Sequence, residues 1–267
     1  MSWKFVKHLR GNKVNNSTYS IGIVTYVDRY QSFFKPLLKQ VATLFPDTQI
    51  IIAVNGYHDE VIQNDYLHQL NLFLSDYPNV KTVQFQAPQS LSKLWNLLIL
   101  SSNTSKTIIC NDDIKLSPKF RKDLEKSGVL LEDIGLLNRS WSHFLISKKI
   151  VEQIGWFDER FPAVGNEDED YEARLRIAGI SIKTYTVPGL KNVIFKTKNF
   201  SWKETDVVNE KYVRANQVFF NSKWDVLEQP ESDYTYVEIL GKYVKLKAGM
   251  ETPRFHDSTT RGNMNTI

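Results

Sequence analysis

Two groups of acidic residues carry the chemistry that this sequence could perform. Asn111-Asp112-Asp113 follows the apolar run KTIIC and precedes IKLSP. Adjacent carboxylates at a strand end can hold a hard divalent ion, Mg²⁺ or Mn²⁺, which prefers oxygen ligands and bridges readily to a diphosphate. Alone, such a pair is equally explained as a turn, where Asn and Asp bond their own backbone. About fifty residues further on, GWFDERFPAVGNEDEDYEARLRIAG carries Glu167, Asp168, Glu169, Asp170 and Glu172, five acids within six residues. A helix N-terminus tolerates one or two of these charges. Five repel one another, and such crowding points to a cation or a shared proton. The first group would hold a metal-bound leaving group while the second supplies a base. Arg174 and Arg176, four residues after Asp170 and Glu172, read as structural helix pairs.

A frame must bring these groups together, and the chain before them alternates strand and helix. Tyr19 to Tyr26 is a β-branched strand, followed by a helical pattern through Phe33, Leu37, Leu38, Val41 and Leu44. Gln49 to Val54 is a buried strand ending at Asn55-Gly56, with a helix to about Ser75. A strand at Val80 to Phe85, a helix at Ser90 to Leu100 and a strand at Lys106 to Cys110 complete the series. This alternation predicts an α/β fold, a mostly parallel sheet with helices on both faces. Ligands of such sheets bind beyond the carboxyl ends of the strands, where Thr25 to Arg29, Asn55-Gly56 and Asn111 to Asp113 fall. Later elements are a helix at Pro118 to Lys126, strands at Ile134 to Leu137 and His143 to Ile146, and a helix at Lys148 to Ile154. The acidic helix follows, and Ser181 to Val187 returns as a strand. A C-terminal helix at Asp206 to Phe220 and a hairpin at Tyr234 to Lys247 form an appendage.

Composition limits the possibilities. With 267 residues, 42% of them hydrophobic, the chain can bury a sizeable core. A net charge of +4 does not demand nucleic acid, and the single cysteine, Cys110, suits a reducing compartment. No run approaches the roughly 20 apolar residues of a membrane span. Residues 1–18 hold four Lys or Arg and no acid, an arm suited to contact with a membrane surface or a polyanion, or simply to solvation. Residues 19–187 form the expected catalytic domain, 188–249 an extension packed on it, and 250–267 a polar tail.

The order IGIVTY, AVNG, SLSKLWN, ICNDDIKLSP and the acidic segment resembles the GT-A fold nucleotide-sugar glycosyltransferases, in particular glycosyltransferase family 2. VRANQVFFNSKWD resembles a C-terminal element of bacterial members that build surface polysaccharides. The resemblance implies a Rossmann-like GT-A sheet and a Mn²⁺ or Mg²⁺ cofactor. Asp113 would be the main metal ligand, with Asp112 on the metal or the ribose and Asn111 where an Asp is common. It places Thr25, Tyr26, Arg29, Asn55, Lys93 and Asn96 around the donor. Asp168 would be the catalytic base, with Glu167 second in line. His256, near the C-terminus, would be a further metal ligand, as a late histidine is in some GT-A enzymes. Trp141, His143 and Trp156 are the expected acceptor-side residues, Trp156 and Trp202 by stacking on sugar faces, with packing in the core the other reading of His143, Trp156 and Trp202.

The implied reaction transfers a sugar from a nucleoside-diphosphate donor, UDP- ahead of dTDP- or GDP-, to an acceptor hydroxyl. One base and no carboxylate placed as a nucleophile predicts inversion. The acceptor is a glycan, a lipid-linked sugar, a protein or a modified nucleic acid, and the protein is expected in the cytoplasm or at the inner face of a membrane. Two other readings stand beside this one: a GT-A scaffold that binds a nucleotide or glycan without catalysis, and a nucleotidyltransferase. The latter should carry a Gly-rich basic loop after the first strand, and Val27-Asp28-Arg29-Tyr30 is not one.

Overall fold

The computed structural model describes residues 17–162, 164–193, 214–227, 236–239 and 242–246. Its frame is a seven-stranded sheet of β1 (Tyr19–Thr25), β2 (Ile50–Val54), β3 (Val80–Gln84), β4 (Lys106–Asn111), β6 (Ile134–Leu137), β7 (Ser140–Ser147) and β8 (Lys183–Tyr185), in the order β3-β2-β1-β4-β7-β6-β8. β1 pairs in parallel with β2 and β4, β2 with β3, and β6 with β8, while β7 runs antiparallel to both β4 and β6.

The central strands β1, β2 and β4 bury both faces, and the period-2 alternation of side chains divides the core in two. Ile50, Ile52 and Val54 pack to one side with Leu37, Leu38 and Val41 of α1 (Lys35–Leu44), Tyr66 and Leu70 of α2 (Glu60–Leu74) and Leu124 of α4 (Phe120–Ser127). Ile51 and Ala53 pack to the other side with Leu94, Trp95 and Leu98 of α3 (Leu91–Ser101), Ile150 of α5 (Lys148–Ile154) and Tyr171 and Leu175 of α6 (Glu167–Ile177). The mostly parallel α/β arrangement expected from the alternation is present.

Three parts differ from the sequence expectation. The strand expected over Ser181 to Val187 is shorter, Lys183–Tyr185. A two-stranded ribbon, β5 (Ile114–Leu116) with β9 (Leu190–Asn192), was unforeseen, since strands of three residues are too short for a periodic signal. The C-terminal helix, α7, covers residues 214–223, and the part expected before it lies outside the described residues. The hairpin forms from β11 (Tyr236–Ile239) and β12 (Lys242–Leu246), and a third strand, β10 (Trp224–Leu227), joins it beside β12. Phe161, Ala173 of α6, Phe220, Trp224 and Val244 form a separate apolar cluster that seats this appendage on α6. The basic arm and the polar tail lie outside the described residues, apart from Ser17 and Thr18. Among the described residues no helix is long and apolar enough to cross a membrane.

Candidate active site

The first acidic group sits at the carboxyl end of β4. Asp112 is buried, 1% exposed, and accepts from Arg29 Nη1 at 2.9 Å; the same nitrogen lies 3.3 Å from Asp113 Oδ2. Arg29 comes from the turn of 3₁₀ helix after β1 (Val27–Arg29), and its guanidinium lies over the rings of Tyr26 and Phe33. Burial works against the charged guanidinium, but the two carboxylates outweigh it and raise its pKa. Burial also pushes Asp112 up to about 6, against the opposing pull of Arg29 and the Thr25 hydroxyl. One cation therefore serves two carboxylates, and the charges do not balance.

Asn111 Oδ1, Asp112 Oδ2, Asp113 Oδ1 and Arg29 Nε are buried without a hydrogen-bond partner among the described residues. Buried polar atoms are ordinarily paired with protein, water or an ion, and four gathered in one place leave room for such a partner. The donor set fits a divalent ion, since Mg²⁺ commonly takes one or two carboxylates and leaves the remaining positions to substrate phosphate and water. The described residues contain no group of three or more His, Cys, Asp or Glu side chains gathered for a metal, so the Asp112-Asp113 pair is what they offer. His256, like Trp202, lies outside the described residues.

β7 links this group to the second. Its antiparallel register sets His143 opposite Cys110, so the start of β7, where Trp141 stands, lies beside the end of β4. His143 is buried, and its Nδ1 has no partner among the described residues. Burial pushes its pKa down to about 4 although Asp113 pulls the other way, so a neutral imidazole faces the acid pair. Cys110 is a buried strand-core residue, and burial pushes its thiol up to about 12. Trp141 packs edge-on to Tyr171 of α6 and donates from its indole to Glu172 Oε2 at 3.4 Å. The first turns of α6 thus reach the same edge of the sheet as Asp112 and Asp113.

At the start of α6 the acids divide by role. Asp170 and Arg174 form the expected i,i+4 pair, both buried, at 3.0 Å. Arg176 pairs with Glu172 at 2.6 Å nearer the surface. Glu167 is buried, 3% exposed, and its Oε2 has no partner among the described residues. Burial, reinforced by the adjacent Asp168 charge, pushes Glu167 up to about 8. Asp168 is half-buried and its carboxylate accepts from the Glu169 amide at 3.0 Å. Burial raises its pKa as well.

Several expected donor or acceptor residues spend their polar atoms inside the protein. Asn55 accepts from the amides of Gly56 and Gln89 and donates to the Gln89 carbonyl, which ties the loop after β3 to the end of β2. Gly56 makes that closeness possible, since a Cβ there would stand 2.2 Å from the Ala87 backbone. Asn96 is fully buried; its amide donates to the Phe157 carbonyl and Glu159 and accepts from the Phe157 amide. It holds the loop that leads to α6, and no polar atom of its side chain remains for a donor. Lys93 donates to Gln89 at 2.7 Å. Trp156 is 8% exposed within the core, and its carbonyl accepts from Arg174, so most of its ring is unavailable to a sugar face.

Sequence reasoning missed a buried ion network next to this motif. Asp158, held ionised by Arg160 and Lys223 against the cost of burial, shares Lys223 Nζ with Asp170. The available signal was Lys223 itself, a lone lysine beside Trp224 in an apolar stretch. The Tyr66 hydroxyl, buried beside Thr25 and Asp112, was also missed, because on α2 it looks like any core aromatic.

No known family model and no curated protein sequence matches this chain. Solved structures do. GalNAc-T7 with UDP, GalNAc and Mn²⁺ superposes with a TM-score of 0.50 at 10% identity, over 65% of this chain and 43% of that one. The fold is that of the GT-A glycosyltransferases. Staphylococcus aureus TarS 1-349 gives a TM-score of 0.47 at 12% identity, over 64% of this chain. In complex with UDP-GlcNAc it gives 0.47 at 11% identity, over 77% of this chain. The chain spans about 60% of the length of TarS 1-349 and less than half of GalNAc-T7. At these identities the likeness is one of fold alone.

Proposed function

We propose that this protein is a metal-dependent glycosyltransferase that moves a sugar from a nucleoside-diphosphate donor to an acceptor hydroxyl with inversion at the anomeric carbon. The observation that carries the reading is the set of unpartnered oxygens on Asn111, Asp112 and Asp113, opposed by one arginine at the ligand-binding edge of the sheet. Asp113 Oδ1 and Asp112 Oδ2 would hold a Mg²⁺ or Mn²⁺, which when bound neutralises charge on the departing diphosphate. A UDP donor is favoured, in keeping with the UDP and Mn²⁺ of GalNAc-T7, a protein of the same fold.

The chain's own groups account for the rest. Arg29 holds both carboxylates in place before the donor arrives, and its Nε, without a partner among the described residues, is placed to meet a phosphate oxygen. Asp168, half-buried at the start of α6, accepts the proton of the attacking hydroxyl, its pKa raised toward the working range by burial. Glu167 remains protonated near neutral pH and supplies a hydrogen-bond donor beside it. Trp141 and the neutral His143 wall the acceptor side. Protein, glycan, lipid-linked and nucleic-acid acceptors all offer the required hydroxyl, with the work done in the cytoplasm or at a membrane face.

The test is a screen of nucleotide sugars for hydrolysis or transfer with Mn²⁺, with Mg²⁺ and with chelator, read beside thermal stabilisation by each donor. Metal-dependent release of a nucleoside diphosphate is expected. Stabilisation by a nucleotide sugar with no turnover under any acceptor condition would assign the chain to binding alone.

A further inference from the structure

The acid motif is gripped from behind by a helix that takes no part in the proposed reaction. α7 carries Asn216 and Lys223, seven residues apart and hence on one helical face, and both are fully buried. Asn216 Nδ2 donates to the Gly165 carbonyl at 2.8 Å. Gly165 and Asn166 are left-handed, with φ of 107° and 67°, and α6 begins immediately after them without a side-chain cap. Lys223 Nζ bonds Asp158, ahead of the turn, and Asp170, two residues beyond Asp168. Trp224 Nε1 adds a bond to Asp170 Oδ1 at 2.9 Å. α7 therefore holds the motif on both sides, at the turn that enters it and at the residue that closes its first helical turn.

We infer that α7 is the positioning element of the acid motif: Asn216, through the Gly165 carbonyl, sets the left-handed turn that aims Glu167 and Asp168, and Lys223 anchors the far side of the same turn. Neither residue touches substrate. The inference rests on the proposed proton-transfer role of Asp168 and Glu167. A left-handed turn at a non-glycine residue persists only where its surroundings hold it; on the α6 side Asn166 bonds Glu169 and the Asp170 amide, and from outside the motif the Asn216 amide holds the Gly165 carbonyl. Releasing it lets the carboxylates drift, and a displacement of about 1 Å can cost on the order of 10²-fold in rate.

Lys223→Met leaves buried carboxylates undercompensated and risks unfolding, so Asn216 is the probe. Asn216→Ala removes the donor, and Asn216→Asp keeps the shape while turning an acceptor toward the carbonyl. The full-length chain and both variants are compared by amide hydrogen exchange over residues 164–172 and over β1 and β4, and by kcat and KM for a nucleotide sugar with Mn²⁺. Both variants should exchange about tenfold faster at 164–172 with β1 and β4 unchanged, and lose about 10- to 100-fold in kcat with donor KM within about twofold. Unchanged exchange at 164–172 overturns the inference, as does loss of protection spread evenly over the sheet or an unchanged kcat. If the unaltered protein turns over no nucleotide sugar, the functional reading fails by itself, and the exchange pattern alone decides whether Asn216 holds the turn.

Discussion

Two acid clusters in this protein are built to opposite specifications. Around Asp158 and Asp170 the countercharges are complete: Arg160, Arg174 and Lys223 supply three cations, and the Trp224 indole adds a donor. At Asp112 and Asp113 a single arginine serves both carboxylates, and polar atoms of the pair and of that arginine are left without partners among the described residues. The first cluster is a saturated joint that fixes one piece of structure to another. The second is unfinished. Acid content alone does not distinguish the two clusters; the count of unfilled hydrogen-bonding positions among the described residues does.

That contrast can be broken most sharply at the unfinished cluster. Asp113→Ala should abolish both turnover and Mn²⁺-induced thermal stabilisation, a rate loss of about 10³-fold or more, while leaving the fold intact. Asp168→Asn should lose about 10²- to 10⁴-fold in turnover yet bind donor and metal as before. Near-normal rates from this variant would remove Asp168 from the base role. At the saturated cluster the effect should appear in stability. Lys223→Met removes the buried cation that Asp158 and Asp170 share, leaving each with one arginine, and should cost about 3 kcal/mol in denaturant unfolding, with metal binding by the residual folded protein unaltered.

Glu167 gives a smaller, pH-dependent effect. It ionises near 4.5 in an unfolded chain and near 8 in the fold. The unfolded state therefore gives up its proton first, and stability conferred by the protonated form is present below about pH 4.5 and lost as pH rises toward 8. Glu167→Gln should flatten that slope and raise the melting temperature at pH 8 relative to the unaltered protein, and parallel melting curves for the two would count against a buried neutral carboxyl. Arg176→Ala, at an exposed i,i+4 pair with Glu172, should change stability by no more than about 0.5 kcal/mol and serves as the baseline.

The sheet was legible in the sequence because its central strands are buried on both faces. IIIAV of β2 and KTIIC of β4 show as short runs rich in β-branched residues between helical periodicities. The acid pair was legible from its place at the end of such a run. The direction of β7 was not, since SWSHFLIS has the same composition whichever way it pairs. Nor were the fates of Asn55 and Asn96. Whether a side-chain amide faces a ligand or stitches two loops depends on which backbone groups stand opposite it, at residues 89 and 157. The Lys223 to Asp158 bond spans sixty-five positions, so no local window contains it.

The saturated joint also has a consequence for how the chain is made. During synthesis from the amino terminus, every strand of the main sheet has emerged by Tyr185. The amine that Asp158 and Asp170 share arrives only with Lys223. A nascent chain can thus complete the sheet edge that carries Asp112 and Asp113 while Asp158 and Asp170 still lack their common partner, and α7 is the helix that then locks them in place.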